Sequence, residues 1–188
     1  MMKLTFKNFI KLTRKEHEKI LSLRNADYIR NNMKTKNIIK IENHMHWIDK
    51  LKYDNSNKYY AVYRDDEIVG AIYIKDIDYN KNKSTWGIYF KKNINPLISS
   101  VSAYCIIDKI FNELNLNILD SEVKKNNISA YKFNLSLGFK VYGENIEKAE
   151  EYYLMKIDKQ KWIQYKNSKR FLRFSKILKK INIKIDDG

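Results

Sequence analysis

The chain has 188 residues and a formal net charge of +15, and 44% of its residues are hydrophobic. That hydrophobic fraction excludes an intrinsically disordered chain and suits one folded domain with a sizeable core. A single cysteine excludes an internal disulfide framework, and the sequence shows neither a signal peptide nor an apolar run long enough to span a membrane, so we expect a cytoplasmic protein.

The first part of the chain predicts a strand, two helices and a strand hairpin. Residues 4–10 alternate weakly and predict the first strand. Thr13 and Glu16 have the spacing of a capping box, which predicts a helix that begins after Thr13 and continues to about Arg24. The elements expected next are a polar, irregular segment over 25–41, a helix over 42–53, a strand over 58–63, a turn over 64–67 and a strand over 68–77.

The middle of the chain, residues 84–139, predicts alternating strands and helices. The predicted elements are a strand over 85–90, a helix over 97–114, a strand over 118–123, a helix over 128–137 and a strand over 139–142. Gly138 is placed to end the second helix, because glycine adopts the left-handed conformation of a helix cap at little cost. Crossover connections of this length place their helices against the faces of a sheet.

The segment from residue 156 to 188 is strongly basic, with 11 Lys and Arg against 3 acidic residues. Phe171, Phe174, Leu178 and Ile181 recur at helical spacing and predict a basic amphipathic helix over 168–181. Such a helix lies on an anionic membrane surface, docks on a partner, or folds back on its own domain, and the sequence leaves the three open. No nucleic-acid-binding motif is present, so nucleic acid is not expected as a partner.

A motif in the middle segment carries a family resemblance. Glu122-Val123, followed by Asn126-Asn127, Ala130 and then Leu137-Gly138-Phe139, resembles the second half of the Gcn5-related N-acetyltransferase (GNAT) fold. The resemblance implies an α/β fold with a mixed, largely antiparallel sheet flanked by helices. It also implies acetyl-CoA as the acetyl donor and no metal. On this basis we expect an acetyltransferase domain over 1–157 and a basic helical extension over 158–188.

The front half of the chain narrows the resemblance to one branch of the family. The segments that carry it are residues 23–25, 32–36, 44–48, 58–60 and 87–89. Together they resemble the enzymes of pseudaminic acid biosynthesis that acetylate the 4-amino group of a UDP-linked 4-amino-4,6-dideoxy sugar, over about residues 4–157. The resemblance therefore implies a nucleotide-linked amino sugar as partner. Contact with an anionic membrane at the inner surface through 168–181 remains one of the three alternatives for the basic helix, and a second copy of the chain in a homodimer is a further candidate partner. The alternatives are a protein or peptide N-terminal acetyltransferase, which needs an open groove, a catalytically weak binding module, and a membrane-docked interaction protein whose main feature is the basic tail.

The resemblance assigns donor and catalytic residues. We expect Tyr89 to relay a proton or orient the acceptor, and Glu122 to orient the acceptor amine or take its proton through water. A core tyrosine and a solvated glutamate are the structural alternatives for these two. The residues expected to bind acetyl-CoA are Ile88, Tyr89, Phe90, Ile98, Ser99, Ser100, Val101, Ser102, Asn127, Tyr131 and Asn134.

The acceptor residues are expected in the front half of the chain. Arg24 suits a diphosphate because its planar guanidinium donates two parallel hydrogen bonds. His44 can bond a sugar or phosphate, and Trp47 offers a flat face to a ring, although His beside Trp on a helix face also suits simple packing. The full predicted acceptor set is Arg24, Met33, Lys34, His44, Trp47, Tyr73 and Glu122.

The sequence departs from the family pattern at two places. The loop before the helix at 97–114 carries no glycines, and residues 95–102 are Asn-Pro-Leu-Ile-Ser-Ser-Val-Ser, so serines would have to present the donors for a pyrophosphate. Asn134 stands where the family commonly has a tyrosine proposed to protonate the leaving thiolate. Asn cannot act as an acid, so we expect that proton to come from water or from Tyr131.

Overall fold

The computed structural model describes residues 2–187, which form one eight-stranded sheet covered by helices on both faces. The strands are β1 (Lys3–Asn8), β2 (Lys58–Arg64), β3 (Glu67–Asp78), β4 (Lys83–Phe90), β5 (Ile118–Lys124), β6 (Lys140–Glu147), β7 (Glu150–Asp158) and β8 (Asn182–Asp186). The helices are α1 (Arg14–Asn25), α2 (Asp27–Arg30), α3 (Ile41–Leu51), α4 (Pro96–Asn112), α5 (Ile128–Ser136), α6 (Lys159–Lys166) and α7 (Lys169–Leu178). Within residues 2–187, no helix combines the length and the apolar character needed to cross a membrane.

The strand order in the sheet is β6-β7-β5-β4-β3-β2-β1-β8. The pairs β4–β5 and β1–β8 are parallel, and the other five pairs are antiparallel. The predicted mixed, largely antiparallel sheet flanked by helices is therefore confirmed. One core cluster packs α4 against the sheet, and a second packs α1 and α3 against the opposite face.

The front half follows the predicted order of elements. The Thr13 side chain accepts a hydrogen bond from the Glu16 backbone, and Glu16 Oε2 accepts from the Thr13 backbone N–H at 2.7 Å, so the predicted capping box is present. The segment predicted as irregular contains the single-turn helix α2, whose residues Asp27 and Arg30 form an ion pair. One turn is too short to show a helical period in the sequence, which is why it was not predicted.

The middle segment also follows the prediction as far as Gly138. This residue has φ of 98° and ends α5, and a Cβ there would lie 3.3 Å from Ile157 Cδ1. The sequence carried no expectation for β7, which lies between β5 and β6 and pairs antiparallel with both. β6 is also longer than the predicted strand over 139–142.

The C-terminal segment packs against the rest of the domain. Trp162 is fully buried, and its Nε1 donates to Asp108 Oδ1 at 3.0 Å. In α7, Phe171 is buried, with its ring centroid 5.3 Å from that of Tyr104. The other three residues of the predicted apolar face, Phe174, Leu178 and Ile181, also pack against the core. They are therefore not available to insert into a membrane, and the folded-back alternative describes this helix. The boundary after residue 157 stays a prediction.

Candidate active site

A gap between β4 and β5 forms the centre of the site. The two strands pair only from Lys83–Thr85 to Ile118–Asp120, whereas β4 continues to Phe90 with its other edge bonded to β3. Beyond Thr85, within the described chain, the edge of β4 that faces β5 has no strand partner. Its backbone N–H and C=O groups are therefore available to an extended ligand, because buried backbone groups require hydrogen-bond partners.

A groove of about 430 Å³ occupies this gap, and we call it the β4–β5 groove. Six of the predicted donor-binding residues line it: Ile88, Tyr89, Phe90, Ser99, Asn127 and Asn134. The other five do not. Ile98, Val101 and Ser102 are fully buried on the inner face of α4, and Ser100 lies outside the lining of the groove. Tyr131 packs against Tyr153, with ring centroids 4.8 Å apart.

The N-terminus of α4 is largely closed by its own residues. Asn95 Oδ1 accepts from the Leu97 backbone N–H at 3.0 Å, and the Ile98 backbone N–H donates to the Asn95 carbonyl. The hydroxyls of Ser99 and Ser100 both donate back to the Pro96 carbonyl. The serines that were expected to present donors thus turn their hydroxyls toward the helix, and an anion here would have to displace Asn95 from the Leu97 and Ile98 N–H groups.

A second cavity of about 650 Å³ lies on the α1 and α3 side of the sheet, and we call it the front cavity. All seven predicted acceptor residues line it: Arg24, Met33, Lys34, His44, Trp47, Tyr73 and Glu122. Sequence reasoning missed other parts of the wall, mainly Phe9, Tyr59, Tyr142 and Tyr152. Tyr59 lies inside a motif that carried the family resemblance and could have been included on that ground.

Aromatic rings form one side of the front cavity. The Trp47 and Tyr59 ring centroids are 4.8 Å apart, and Tyr59 stacks on Tyr73 at 5.1 Å. The Tyr73 ring fits across β4 because Gly87 lies opposite it, and a Cβ at Gly87 would be 2.1 Å from the Tyr73 hydroxyl oxygen. Such a wall presents flat faces for planar or sugar rings.

Arg24 brings a positive charge into this aromatic cavity. Its Nη2 donates to the Thr35 carbonyl at 3.0 Å, whereas its Nη1 is buried and has no hydrogen-bond partner within residues 2–187. Burial lowers the pKa of Arg24, and the nearby Tyr89 and Tyr73 act against that change. Arginine remains protonated in proteins, so the cavity holds a fixed cation with free donors.

His44 forms a buried pair with His17, with 3.0 Å between His17 Nδ1 and His44 Nε2. Burial, and the neighbouring His17 next, lower the pKa of His44 to about 4. Burial also lowers the pKa of His17. His44 is therefore neutral near pH 7 and contributes a polar ring, not a second cation, to the cavity wall.

Glu122 is held by two partners on the floor of the cavity. Its Oε2 lies 2.6 Å from Lys34 Nζ, and its Oε1 accepts from Asn145 Nδ2 at 3.0 Å. Lys34 also contacts Glu147 at 2.8 Å. Burial acts to lower the pKa of Lys34, but hydrogen bonds to the two carboxylates outweigh it and raise the pKa. These contacts tie the segment after α2 to β5 and to the β6–β7 hairpin.

A second set of ion pairs closes the same segment over the cavity. Lys36 pairs with Glu150, and the buried Lys124 Nζ contacts Glu150 at 2.7 Å and the Asn31 carbonyl at 2.7 Å. Residues 31–36 therefore lie as a strap across the front cavity, anchored at both Lys34 and Lys36.

The groove and the front cavity meet at the end of the β4–β5 pairing. Seven residues line both of them: Asn32, Met33, Tyr73, Trp86, Tyr89, Ser121 and Glu122. A ligand in the groove and a ligand in the front cavity can therefore meet beside Tyr89 and Glu122. This is the arrangement that a group transfer between two bound substrates requires.

Comparisons with known proteins agree with this geometry. Residues 10–159 match the acetyltransferase (GNAT) domain family. The chain is 34% identical over 139 residues to the acetyltransferase PseH of Campylobacter jejuni strain 81-176, covering 74% of this chain and 86% of that protein.

Solved structures show the same fold. The C. jejuni N-acetyltransferase PseH in complex with acetyl coenzyme A superimposes with a TM-score of 0.65 at 28% identity, covering 83% of this chain and 99% of that one. The spermidine N-acetyltransferase of Vibrio cholerae, in complex with CoA and spermine, gives a TM-score of 0.76 at 18% identity, covering 85% and 98%. The family match spans most of the chain, and so the chain belongs to the GNAT family of acetyl-CoA-dependent N-acetyltransferases.

Proposed function

We propose that the enzyme transfers the acetyl group of acetyl-CoA to the amino group of a nucleotide-linked amino sugar, of the UDP-4-amino-4,6-dideoxy-hexosamine type used in pseudaminic acid biosynthesis. The observation that carries the proposal is Arg24, whose buried Nη1 lacks a partner within residues 2–187, in an aromatic cavity of about 650 Å³. An unsatisfied guanidinium donor suits a diphosphate, and the rings suit a base and a sugar. Similarity to PseH supports the same assignment.

The donor would occupy the β4–β5 groove. The free backbone edge of Ile88, Tyr89 and Phe90 would hold the pantetheine arm, and one of its N–H groups would face the thioester oxygen. The relative from C. jejuni binds acetyl coenzyme A, which supports this placement. The predicted donor residues outside the groove would act only through the packing of α4 and α5.

The reaction follows from the meeting of the two cavities. The neutral acceptor amine attacks the thioester carbonyl, so a C–N bond forms, the C–S bond breaks and the sulfur leaves with the electron pair. Glu122 would take the amine proton directly or through water, because it lies where the cavities meet and Lys34 and Asn145 fix its orientation. Tyr89, beside it, would orient the acceptor. Burial raises the pKa of Tyr89, so its hydroxyl stays protonated at neutral pH.

The strap over the front cavity argues against a peptide acceptor. Lys34 and Lys36 tie residues 31–36 to the β6–β7 hairpin, so an extended peptide would have to enter beside this strap or displace it. A sugar nucleotide needs only a closed pocket of the observed size. The lining holds the acidic Asp76, Asp120 and Glu122 as well as Arg24, Lys34 and Lys75, so a polyamine is the competing acceptor to test.

Direct turnover tests the proposal. We expect acetyl-CoA with a UDP-4-amino-4,6-dideoxy sugar to release CoA and give a product one acetyl group heavier by mass spectrometry. Spermidine and a peptide with a free N-terminus serve as competing acceptors. Turnover of either competitor at a higher kcat/KM than the sugar nucleotide would contradict the acceptor assignment.

We also propose that the reaction takes place in the cytoplasm, beside an anionic membrane that α7 contacts with its exposed cations. Lys169, Arg173 and Lys176 of α7, with Lys180 in the turn that follows it, are exposed and recur at helical spacing on the side away from the buried Phe171. Phe171, Phe174 and Leu178 pack on the domain and only Leu172 and Ile177 of α7 are exposed apolar residues, so this contact would be mainly electrostatic and would weaken strongly at high salt. Vesicle sedimentation with and without salt tests it, and salt-resistant binding would contradict it. The expected homodimer stays a prediction, which analytical ultracentrifugation tests.

A further inference from the structure

Ser121 lies in β5 at the place where the β4–β5 groove meets the front cavity, and it lines both. It is 8% exposed, so little solvent reaches its hydroxyl. A buried hydroxyl at the contact point of two substrates has to be accounted for by its hydrogen bonds.

The hydroxyl accepts one hydrogen bond from the protein. Asn134 Nδ2 on α5 donates to Ser121 Oγ at 2.8 Å, and the same nitrogen lies 3.8 Å from Met155 Sδ. A thioether sulfur accepts but does not donate, so the contact with Met155 favours the amide orientation in which Nδ2 faces both Met155 Sδ and Ser121 Oγ.

The hydroxyl hydrogen of Ser121 consequently has no acceptor within the described residues. Across residues 2–187, Ser121 Oγ takes part in no hydrogen bond as a donor. Trp86, on β4, also lines both cavities, and its Nε1 is buried without an acceptor in the described chain. Ser84 Oγ and Ser102 Oγ are also buried without partners in the described chain, but Ser121 and Trp86 differ from them in lining both cavities, where an electron-rich ligand atom can accept from these donors.

We propose that Ser121, oriented by Asn134, is a catalytic residue whose hydroxyl donates a hydrogen bond to the CoA sulfur as the C–S bond breaks. The electron pair of that bond goes to sulfur, and the hydrogen bond stabilises the resulting thiolate. A serine hydroxyl is far too weak an acid to give its proton to a thiolate. CoA therefore leaves as the thiolate, and the proton lost by the amine goes to Glu122 and then to water.

Asn134 is in this scheme a positioning residue, because its amide fills the acceptor side of the hydroxyl and directs the hydrogen toward the groove. The chain thereby meets the need for leaving-group stabilisation without an acidic side chain at position 134. The inference rests on the proposed transfer from acetyl-CoA but not on the identity of the acceptor.

The test measures the pKa of the thiol of bound CoA, from the ultraviolet absorbance of the thiolate during a pH titration of full-length protein. Ser121→Ala is expected to raise that pKa by about one to two pH units relative to the wild type, since a hydrogen bond to a charged group is lost. Ser84→Ala is the matched control. Ser84 is a buried serine on the neighbouring strand β4, its Oγ has no partner within residues 2–187, and it lines neither cavity.

A second pair of variants removes the effect of packing. Ser121→Thr keeps the hydroxyl and Ser121→Val has nearly the same shape without it, so only Val should raise the thiol pKa. Asn134→Leu should raise it by a smaller amount. Equal pKa values for Thr and Val, or for Ala and the wild type, would overturn the proposal even if the melting temperature falls, because the Asn134 contact would then be structural. If wild-type protein fails to bind CoA at all, the proposed donor is wrong and this inference falls with it.

Discussion

Substitution of Arg24 tests most directly whether the front cavity binds the acceptor while the β4–β5 groove binds acetyl-CoA. Its Nη2 donates to the Thr35 carbonyl at 3.0 Å, and its buried Nη1 has no partner within residues 2–187. We expect a phosphate oxygen of the acceptor to accept from Nη1. A hydrogen bond to a charged group contributes about 1.5–3 kcal/mol, so Arg24→Ala should lower kcat/KM for the sugar nucleotide by about ten- to a hundredfold.

The binding of acetyl-CoA should not change, because Arg24 lines only the front cavity. Isothermal titration should therefore give nearly the same acetyl-CoA affinity for Arg24→Ala and the wild type. Steady-state kinetics should show the loss in kcat/KM when the acceptor concentration is varied, and not when the acetyl-CoA concentration is varied. Comparable losses for donor and acceptor would refute the division of the site.

A control separates ligand binding from the structural role of Arg24 in holding the strap. Arg30 Nη1 donates to the Lys36 carbonyl at 2.8 Å, so Arg30 anchors the same segment, yet it lines neither cavity. Arg30→Ala should therefore change kcat/KM much less than Arg24→Ala. An equal effect of the two substitutions would mean that the strap, and not a phosphate contact, explains the loss.

Three further predictions concern stability. Burial, and His17 next, lower the pKa of His44 to about 4, below its unfolded value, so its contribution to stability is present above pH 6.5 and is lost as the pH falls from 6.5 toward 4. The melting temperature of His44→Gln should therefore fall less over that range than the melting temperature of the wild type. The control His46→Gln, at an exposed histidine of the same helix, should behave as the wild type does. Burial opposes the ionisation of Glu16, but hydrogen bonds from Thr13, Tyr63 and Lys7 lower its pKa to about 2. Glu16→Gln should therefore lower the free energy of unfolding by about 1–3 kcal/mol at pH 7, measured by denaturant unfolding, and the difference should vanish as the pH falls from 4.5 to 2. The control Glu18→Gln, at an exposed ion pair of the same helix, should not show this difference. Trp162→Ala should cost about 3–5 kcal/mol because the ring is fully buried, and an unchanged melting temperature would mean that the C-terminal segment is not part of the domain.

The sequence was most informative where the signal is local. The capping box at Thr13, the stop at Gly138 and the periodicity of α4 each depend on residues a few positions apart, so they could be predicted closely. The place of β7 between β5 and β6 depends on pairing between distant segments. β6 is exposed along most of its length and lacks the apolar alternation by which a strand is recognised.

The site residues, too, could be predicted where a local motif was present and not where distant segments meet. The acceptor set was found through motifs, whereas Phe9 and Tyr152 reach the front cavity from elements that carry no such motif. Ile98, Val101 and Ser102 were expected at a ligand because they begin a helix, but the register of α4 turns all three toward the core. For α7, a stripe of apolar residues has the same spacing whether it meets a membrane or its own domain, so sequence alone could not decide.

The pairing of β8 with β1 has a consequence for how the protein is made. Asn8 and Asp187, which are 179 residues apart, are joined by a hydrogen bond beside that pair. At about 5–20 residues per second, a ribosome takes roughly 10–35 s to synthesise the intervening chain. Once β2 has been made, β1 has that strand on one side and an exposed edge on the other until β8 is complete, and the strand of another nascent chain can add there. Slow translation should therefore increase aggregation of this protein, and a separately supplied peptide covering β8 should reduce it.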